Sequence, residues 1–147
     1  MINLKTTKLL FSDNTEHLLS EFQQEKGYII YFFPKANTSA CTLETVEYNK
    51  LYDQFKQAGY SVIGVSRDVP KKQQQFKLSN NIEFPLVCDV DSQLCNTFNV
   101  LKEKKMFNNT FMGIERSTFM LDNEFNILHE WRNVKAVEHI SDVLKLI

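Results

Sequence analysis

Two runs of apolar and aromatic residues mark the first half of the chain. Tyr28–Phe33 and Ser61–Ser66 contain few polar side chains, and each run is long enough for one strand. This pattern is typical of strands that are buried on both faces. Between them, from Ser39 to Lys56, apolar residues recur at roughly helical spacing, and Gly59 supplies a stop signal. The order predicts a β-α-β unit, which requires parallel strands and a right-handed crossover.

The alternation of helix and strand continues through the middle of the chain. Pro70 opens a second predicted helix, because proline is favoured in a first helical turn. Phe84–Cys88 predicts a third, short strand. Ser92 is expected to cap a further helix that carries Leu94 and Phe98. The parallel arrangement of the first unit is therefore expected to extend to a third strand.

The last third of the chain has a different pattern. Lys102–Gly113 is expected to be a loop. The segments Ser117–Leu121 and Phe125–Trp131 flank turn residues 122–124, which predicts an antiparallel hairpin. A final helix is expected over Val137–Ile147. Together the elements predict an α/β fold, a mixed central sheet with helices on both faces, in an order that resembles the thioredoxin fold.

Composition and charge limit the class of protein. A chain of 147 residues fits one compact domain, residues 1–147, with a full core. The formal net charge is -1 and the basic residues are scattered, so neither nucleic acid nor an anionic membrane is an expected partner. The apolar run Leu9–Phe11 is far too short for a signal peptide or a membrane span. A soluble, cytoplasmic protein is therefore expected.

The cysteines indicate thiol chemistry. Cys41, Cys88 and Cys95 are three in number, at spacings unlike a secreted disulfide framework, and a reducing compartment would keep them as thiols. Their spacing does not fit a metal site, so no metal or cofactor is predicted. The histidines show no pairing with Cys41 along the sequence and are expected to be structural or solvent-facing: His17, His129 and His139.

The segment Pro34–Thr42 joins the end of a buried strand to the first turn of a helix. Ligands of open α/β sheets bind at this edge. There Cys41 lies beside free N–H groups and the positive end of the helix dipole, which favour a thiolate over a thiol. The Thr38 hydroxyl can cap the helix or donate a hydrogen bond in the same pocket as the sulfur. Pro34 fixes the chain and presents a hydrocarbon wall to the thiolate.

A thiolate in this position is suited to the reduction of a hydroperoxide. The sulfur displaces one peroxide oxygen from the other, and donors must stabilise the charge on the departing oxygen. A guanidinium suits that task because it keeps its charge and offers several donors. Arg116, at the start of a predicted strand, is the best candidate, since Arg67 and Arg132 lack a comparable neighbourhood. Glu44, one helical turn beyond Cys41, is expected either to orient Arg116 or to face solvent.

At these residues the sequence resembles the peroxiredoxins. Pro34-x-x-x-Thr38-x-x-Cys41 matches their signature, and the flanking residues are similar to the Q subgroup, also called bacterioferritin comigratory proteins. Further similar positions lie along most of the chain: Val62–Ser66 with Asp68, Phe84–Val87 with Asp89, Gly113–Phe119, and His139. The resemblance implies a monomeric thiol-dependent peroxidase for hydrogen peroxide and organic hydroperoxides. It also implies that Cys41 is the peroxidatic cysteine, activated by Pro34, Thr38 and Arg116.

The sequence departs from this family beside the reactive cysteine. Many members carry a resolving cysteine five residues after the peroxidatic one, and here Val46 occupies that position. Many also have Pro-Gly directly before the reactive cysteine, where this chain has Ser39 and Ala40. The first change excludes a disulfide to that nearby position.

The sulfenic acid formed on Cys41 must meet another thiol before further peroxide oxidises it. If the second strand lies between Cys41 and Cys88, strand spacing puts them roughly 10 Å apart, against about 4.4–6.8 Å between the Cα atoms of a disulfide. Cys95 is no better placed. We therefore expect an external small thiol or a thioredoxin-like protein as reductant, with an internal bridge to Cys95 or Cys88 as the alternative.

Two other functions would use the same fold. A thiol-disulfide oxidoreductase would need Cys-x-x-Cys, but Glu44 occupies the fourth position of that window. A non-catalytic interaction domain would not require Pro34, Thr38, Cys41 and Arg116 together. Peroxide reduction is therefore the favoured hypothesis.

Overall fold

A five-stranded sheet forms the centre of the protein, of which the computed structural model describes residues 1–147. The strands are Leu9–Leu10 (β1), Glu16–His17 (β2), Gly27–Phe32 (β3), Tyr60–Ser66 (β4), Leu86–Cys88 (β5), Leu101–Met106 (β6), Asn109–Ile114 (β7), Ser117–Asp122 (β8) and Ile127–Arg132 (β9). The helices are Ser39–Gln57 (α1), Pro70–Ser79 (α2), Gln93–Thr97 (α3) and Ile140–Leu144 (α4), with a 3₁₀ helix at Leu19–Phe22. None of these helices combines the length and the hydropathy needed to cross a membrane.

The central sheet has the strand order β5-β4-β3-β8-β9. β3, β4 and β5 are parallel, whereas β8 is antiparallel to β3, and β9 is antiparallel to β8. In this register Tyr31 pairs with Gly64 on one side and with Thr118 on the other. The predicted β-α-β unit and the predicted hairpin after residue 116 are both confirmed, and together they form the expected mixed sheet.

Successive side chains of β3 and the residue after it enter two separate cores, because neighbouring residues of a strand point to opposite faces. One core, here called the α3 core, contains Tyr28, Ile30 and Phe32 together with Leu94 and Cys95 of α3. The other, here called the α1 core, contains Ile29, Tyr31 and Phe33 together with residues of α1, α2 and α4. Helices therefore cover both faces of the sheet, as predicted.

The start of β3 depends on a glycine. Gly27 has φ of 157°, and a Cβ atom added there would overlap the carbonyl oxygen of Leu121. Gly27 pairs with Asp122 of β8 at this point. The close approach of β3 and β8 therefore excludes any side chain at position 27 unless the backbone moves.

The segment predicted as a loop, Lys102–Gly113, is instead most of a second antiparallel hairpin. β6 and β7 form a separate two-stranded sheet in which Met106 lies opposite Asn109. Phe107 and Asn108 make the turn, and Phe107 has φ of 58°. Most side chains of the hairpin are exposed, so the segment lacks the apolar alternation that marks a half-buried strand. The prediction of a loop was therefore wrong.

Both ends of the chain also differ from the sequence-based prediction. The N-terminal part forms the short antiparallel pair β1–β2, which was not predicted. The last helix covers only part of the expected range Val137–Ile147. The Ile140 N–H bonds the carbonyl of Val137, three residues earlier, so the chain enters α4 through a tight turn.

Candidate active site

One carboxylate fixes the loop that precedes α1. Oδ2 of Asp68 accepts hydrogen bonds from the Ala36 N–H at 2.8 Å and from the Ser66 hydroxyl at 2.7 Å. Because Ser66 is the last residue of β4, this bridge ties the loop after β3 to the neighbouring strand. Asn37 has φ of 67°, in the left-handed region that asparagine tolerates. The chain thereby turns from β3 into the first turn of α1.

Cys41 lies in that first turn and is almost completely buried, with 1% of its surface exposed. Its sulfur is 3.5 Å from Nη2 of Arg116, which lies in the short connection between β7 and β8. A guanidinium is always charged, and the site has little contact with water. Arg116 therefore places a fixed positive charge and a hydrogen-bond donor next to the sulfur.

Glu44 orients Arg116 from within α1. Its Oε1 accepts a hydrogen bond from Nη1 of Arg116 at 2.5 Å, and its side chain is fully buried. Burial raises the pKa of Glu44 to about 8, although Arg116 opposes that shift. Burial also opposes the charged form of Arg116, but Glu44 and Cys41 outweigh it and raise the pKa of the guanidinium. Of the two expectations for Glu44, the solvent-facing carboxylate is wrong.

Thr38 is the N-cap residue of α1, but its side chain does not cap the helix. Its hydroxyl donates instead to the carbonyl oxygen of Lys35 at 2.8 Å, which closes the turn before the helix. The predicted capping by this side chain is therefore wrong, because no helix N–H bonds its oxygen. The hydroxyl hydrogen is used by Lys35, so the expected donation in the pocket of the sulfur is not made either. Pro34 is half-buried at the start of the same loop. The contacts thus bring Arg116 against Cys41, while Thr38 and Pro34 lie in the adjoining loop.

Behind Glu44 lies a buried polar cluster that the sequence pattern did not reveal. Nε2 of His139 is 2.9 Å from the Thr118 hydroxyl and 3.3 Å from the Tyr48 hydroxyl, which are 2.8 Å from each other. Nδ1 of His139 is 2.5 Å from the carbonyl oxygen of Lys135. Burial lowers the pKa of His139. The expectation that His139 faces solvent is therefore wrong. The only sequence signal for the importance of His139 was its place in the family resemblance.

Cys88 and Cys95 lie away from this cluster. Cys95 belongs to the α3 core and Cys41 to the α1 core, so the two thiols are on opposite faces of the sheet. Cys88 ends β5, which β4 separates from β3. Burial raises the pKa of the Cys88 thiol to about 12, and it also raises the pKa of the Cys95 thiol. Burial therefore disfavours the thiolate at both positions.

A surface cavity of about 460 Å³ lies elsewhere on the molecule. Its lining includes Phe11, His17, Tyr52 and Lys77, and it contains none of the site residues predicted from the sequence. This cavity is therefore separate from the predicted site.

Known proteins share the sequence of this chain over most of its length. The model of the AhpC/TSA family matches residues 3–130. Peroxiredoxin Bcp of Xanthomonas campestris pv. campestris is 44% identical over 116 residues, which cover 79% of this chain and 72% of that protein. Peroxiredoxin Bcp of Bacillus subtilis is 36% identical over 136 residues, which cover 92% of this chain and 87% of that protein.

Solved structures share the fold. A cysteine-to-serine mutant of PrxQ from Xylella fastidiosa matches with a TM-score of 0.90 at 38% identity, covering 99% of this chain and 90% of that one. The bacterioferritin comigratory protein of Xanthomonas campestris matches with a TM-score of 0.88 at 38% identity, covering 97% and 90%. These likenesses confirm the predicted thioredoxin-like fold. The chain therefore belongs to the AhpC/TSA family and is a peroxiredoxin, a thiol-dependent peroxidase.

Proposed function

We propose that Cys41 is the peroxidatic nucleophile of this peroxidase and that Arg116, Thr38 and Pro34 form its activating shell. The observation that carries the proposal is the 3.5 Å contact between Nη2 of Arg116 and the sulfur of Cys41, which is almost completely buried. A buried thiolate without a cation would be costly, and Arg116 supplies that cation.

The reaction begins when the thiolate attacks the terminal oxygen of the hydroperoxide. The S–O bond forms as the O–O bond breaks, so the sulfur is oxidised to a sulfenic acid. The leaving oxygen takes a proton and departs as an alcohol or as water. Negative charge moves from the sulfur to the leaving oxygen, and the guanidinium of Arg116 stabilises it at both places. Because the Thr38 hydroxyl donates to Lys35, its oxygen is free to accept the peroxide O–H.

Hydrogen peroxide and organic hydroperoxides are the proposed substrates. The Xanthomonas campestris bacterioferritin comigratory protein has alkyl peroxide reduction activity. The site in this chain supports the same substrate class, because Cys41 is surrounded by the side chains of the α1 core. Apolar surroundings of this kind do not require a charged group on the substrate.

An external small thiol or a thioredoxin-like protein is the proposed reductant. Cys95 lies on the opposite face of the sheet from Cys41, and Cys88 is separated from β3 by β4. An internal disulfide would therefore need local unfolding. Three free thiols support a reducing compartment, so we place the enzyme in the cytoplasm. We also propose that the enzyme is a monomer, which sedimentation would check.

The test is the intact mass of the reduced protein within seconds of a stoichiometric pulse of hydrogen peroxide. We expect the wild type to gain one oxygen, Cys41→Ser to remain unchanged, and a control with serine at both Cys88 and Cys95 to behave as the wild type. A loss of two hydrogens in the wild type alone would identify an internal bridge. An unmodified wild type, or the same gain in Cys41→Ser, would refute the proposal.

A further inference from the structure

The proton positions on His139 follow from its hydrogen bonds. Nδ1 faces the carbonyl oxygen of Lys135, which can only accept, so Nδ1 carries a hydrogen. Nε2 is therefore the nitrogen that gains or loses a proton. Its neighbours are the hydroxyls of Thr118 and Tyr48, each of which can donate or accept.

The second oxygen of Glu44 lacks a partner. Oε1 is bonded to Arg116, but Oε2 is buried without a hydrogen bond and lies 3.9 Å from Nε2 of His139. A carboxylate oxygen and an unprotonated imidazole nitrogen both carry lone pairs, so neither satisfies the other. One proton between the two atoms would satisfy both, because shortening the Oε2–Nε2 distance by about 1 Å gives an ordinary hydrogen bond.

We propose that Glu44 and His139 share one proton, between Oε2 and Nε2, whenever Cys41 is a thiolate. This inference rests on the proposed role of Cys41 as the peroxidatic nucleophile. Arg116 contacts both Cys41 and Glu44, so one cation serves two groups that can each become an anion. With the proton in place, the full charge of Arg116 is available to the sulfur. Without it, Glu44 competes with the thiolate for the same guanidinium.

The surrounding groups favour this arrangement. Burial opposes a charge on either member, since it raises the pKa of Glu44 and lowers the pKa of His139. Arg116 faces both members and disfavours a second cation at His139. Tyr48 faces the pair from α1, and its high pKa keeps it neutral. The remaining ionisable groups near the cluster are Tyr31 of β3, Cys41 of α1 and Asp142 of α4.

The oxidation of Cys41 then changes the protonation of the pair. The thiolate becomes a neutral sulfenic acid, the O–O bond of the peroxide breaks, and the leaving oxygen takes a proton from water. With the thiolate gone, Arg116 is free to stabilise an ionised Glu44, and the pair releases its proton to water. One proton is taken up and one is released, so the charge of the buried cluster is unchanged. His139 is thus a positioning residue that acts on Cys41 through Glu44 and Arg116.

The first test is the pH dependence of the second-order rate of sulfenic acid formation. We expect the wild-type rate to fall several-fold at alkaline pH as the pair loses its proton. Glu44→Gln keeps a neutral partner for Arg116 and should abolish the alkaline fall. His139→Asn should move the fall to lower pH by about one unit. His129→Asn is the matched control, because His129 is exposed and stacks on Trp131, and it should keep the wild-type profile.

The second test observes the carboxyl group without using the rate. The infrared difference spectrum of peroxide-oxidised minus reduced protein should show loss of a protonated carboxyl band in the wild type and no such loss in Glu44→Gln. Wild-type pH profiles in both Glu44→Gln and His139→Asn, or an unchanged carboxyl band, would overturn the inference while leaving the Cys41 proposal intact. A normal rate in Cys41→Ser would instead overturn the proposed function itself.

Discussion

Replacement of Arg116 tests the electrostatics of the site most directly. Two unit charges 3.5 Å apart, the separation of Nη2 and the Cys41 sulfur, interact by about 4–5 kcal/mol at an effective dielectric constant of about 20. The loss of water by both buried charges offsets part of that attraction, so a net value of about 2–3 kcal/mol is expected, the range of a hydrogen bond to a charged group. Arg116→Ala should therefore slow sulfenic acid formation by roughly 10²-fold. Without Arg116, Glu44 stays protonated, so the variant avoids a bare buried carboxylate.

Stopped-flow or quenched-flow kinetics with hydrogen peroxide measure this rate for four proteins. Arg116→Lys keeps the charge but loses the two separate nitrogens that contact Glu44 and Cys41, so its rate should lie between those of the wild type and Arg116→Ala. Arg67→Ala is the matched control, because it removes the same charge from a residue that bonds the carbonyl of Met112 and not Cys41. An Arg116→Ala rate within threefold of the wild type, or an equally slow Arg67→Ala, would refute the electrostatic argument.

Three further predictions concern the scaffold. Asp68→Ala should slow peroxide reduction, because it releases the Ala36 N–H in the loop before Cys41. Asp89→Ala frees two N–H groups of α3, so it should lower the free energy of unfolding by about 1–3 kcal/mol while leaving the rate near normal. Gly27→Ala should lower the free energy of unfolding, measured by urea denaturation, by roughly 3 kcal/mol or more. The reason is that the added Cβ would overlap the carbonyl oxygen of Leu121. The pKa of Glu44 rises from 4.5 to about 8 on folding, so its stabilisation is complete below about pH 4.5 and is lost as pH rises to 8. The wild-type free energy of unfolding should fall over that range relative to Glu44→Gln.

The parallel unit and the loop that leads to Cys41 could be predicted because their signals are local. Tyr28–Phe33 is buried on both faces, so its side chains form an unbroken apolar run. Pro34, Thr38 and Cys41 lie close together where β3 leads into the first turn of α1, so their spacing along the sequence is enough to identify the motif. Arg116 is distant in sequence, and it was found because the chemistry requires a cation and few arginines were available.

The remaining parts depend on contacts that leave no local pattern. Tyr48 and His139 are separated by 91 positions in the chain, and only the folded protein brings their side chains together. The hairpin β6–β7 pairs strands whose side chains are mostly exposed, so hydrogen bonding and not burial defines it. For Thr38, the orientation of the hydroxyl towards the carbonyl of Lys35, and not towards the N–H groups of the helix, depends on loop geometry.

The double burial of β3 has a consequence for how chain length can vary in proteins of this kind. An insertion or deletion of one residue inside Gly27–Phe32 would exchange the side chains of the α1 core with those of the α3 core. It would also change the position at which the loop to Cys41 begins. The exposed turn at Phe107 and Asn108 is under no such constraint. Natural length variation should therefore concentrate in the β6–β7 hairpin, while the spacing from Gly27 to Cys41 stays constant.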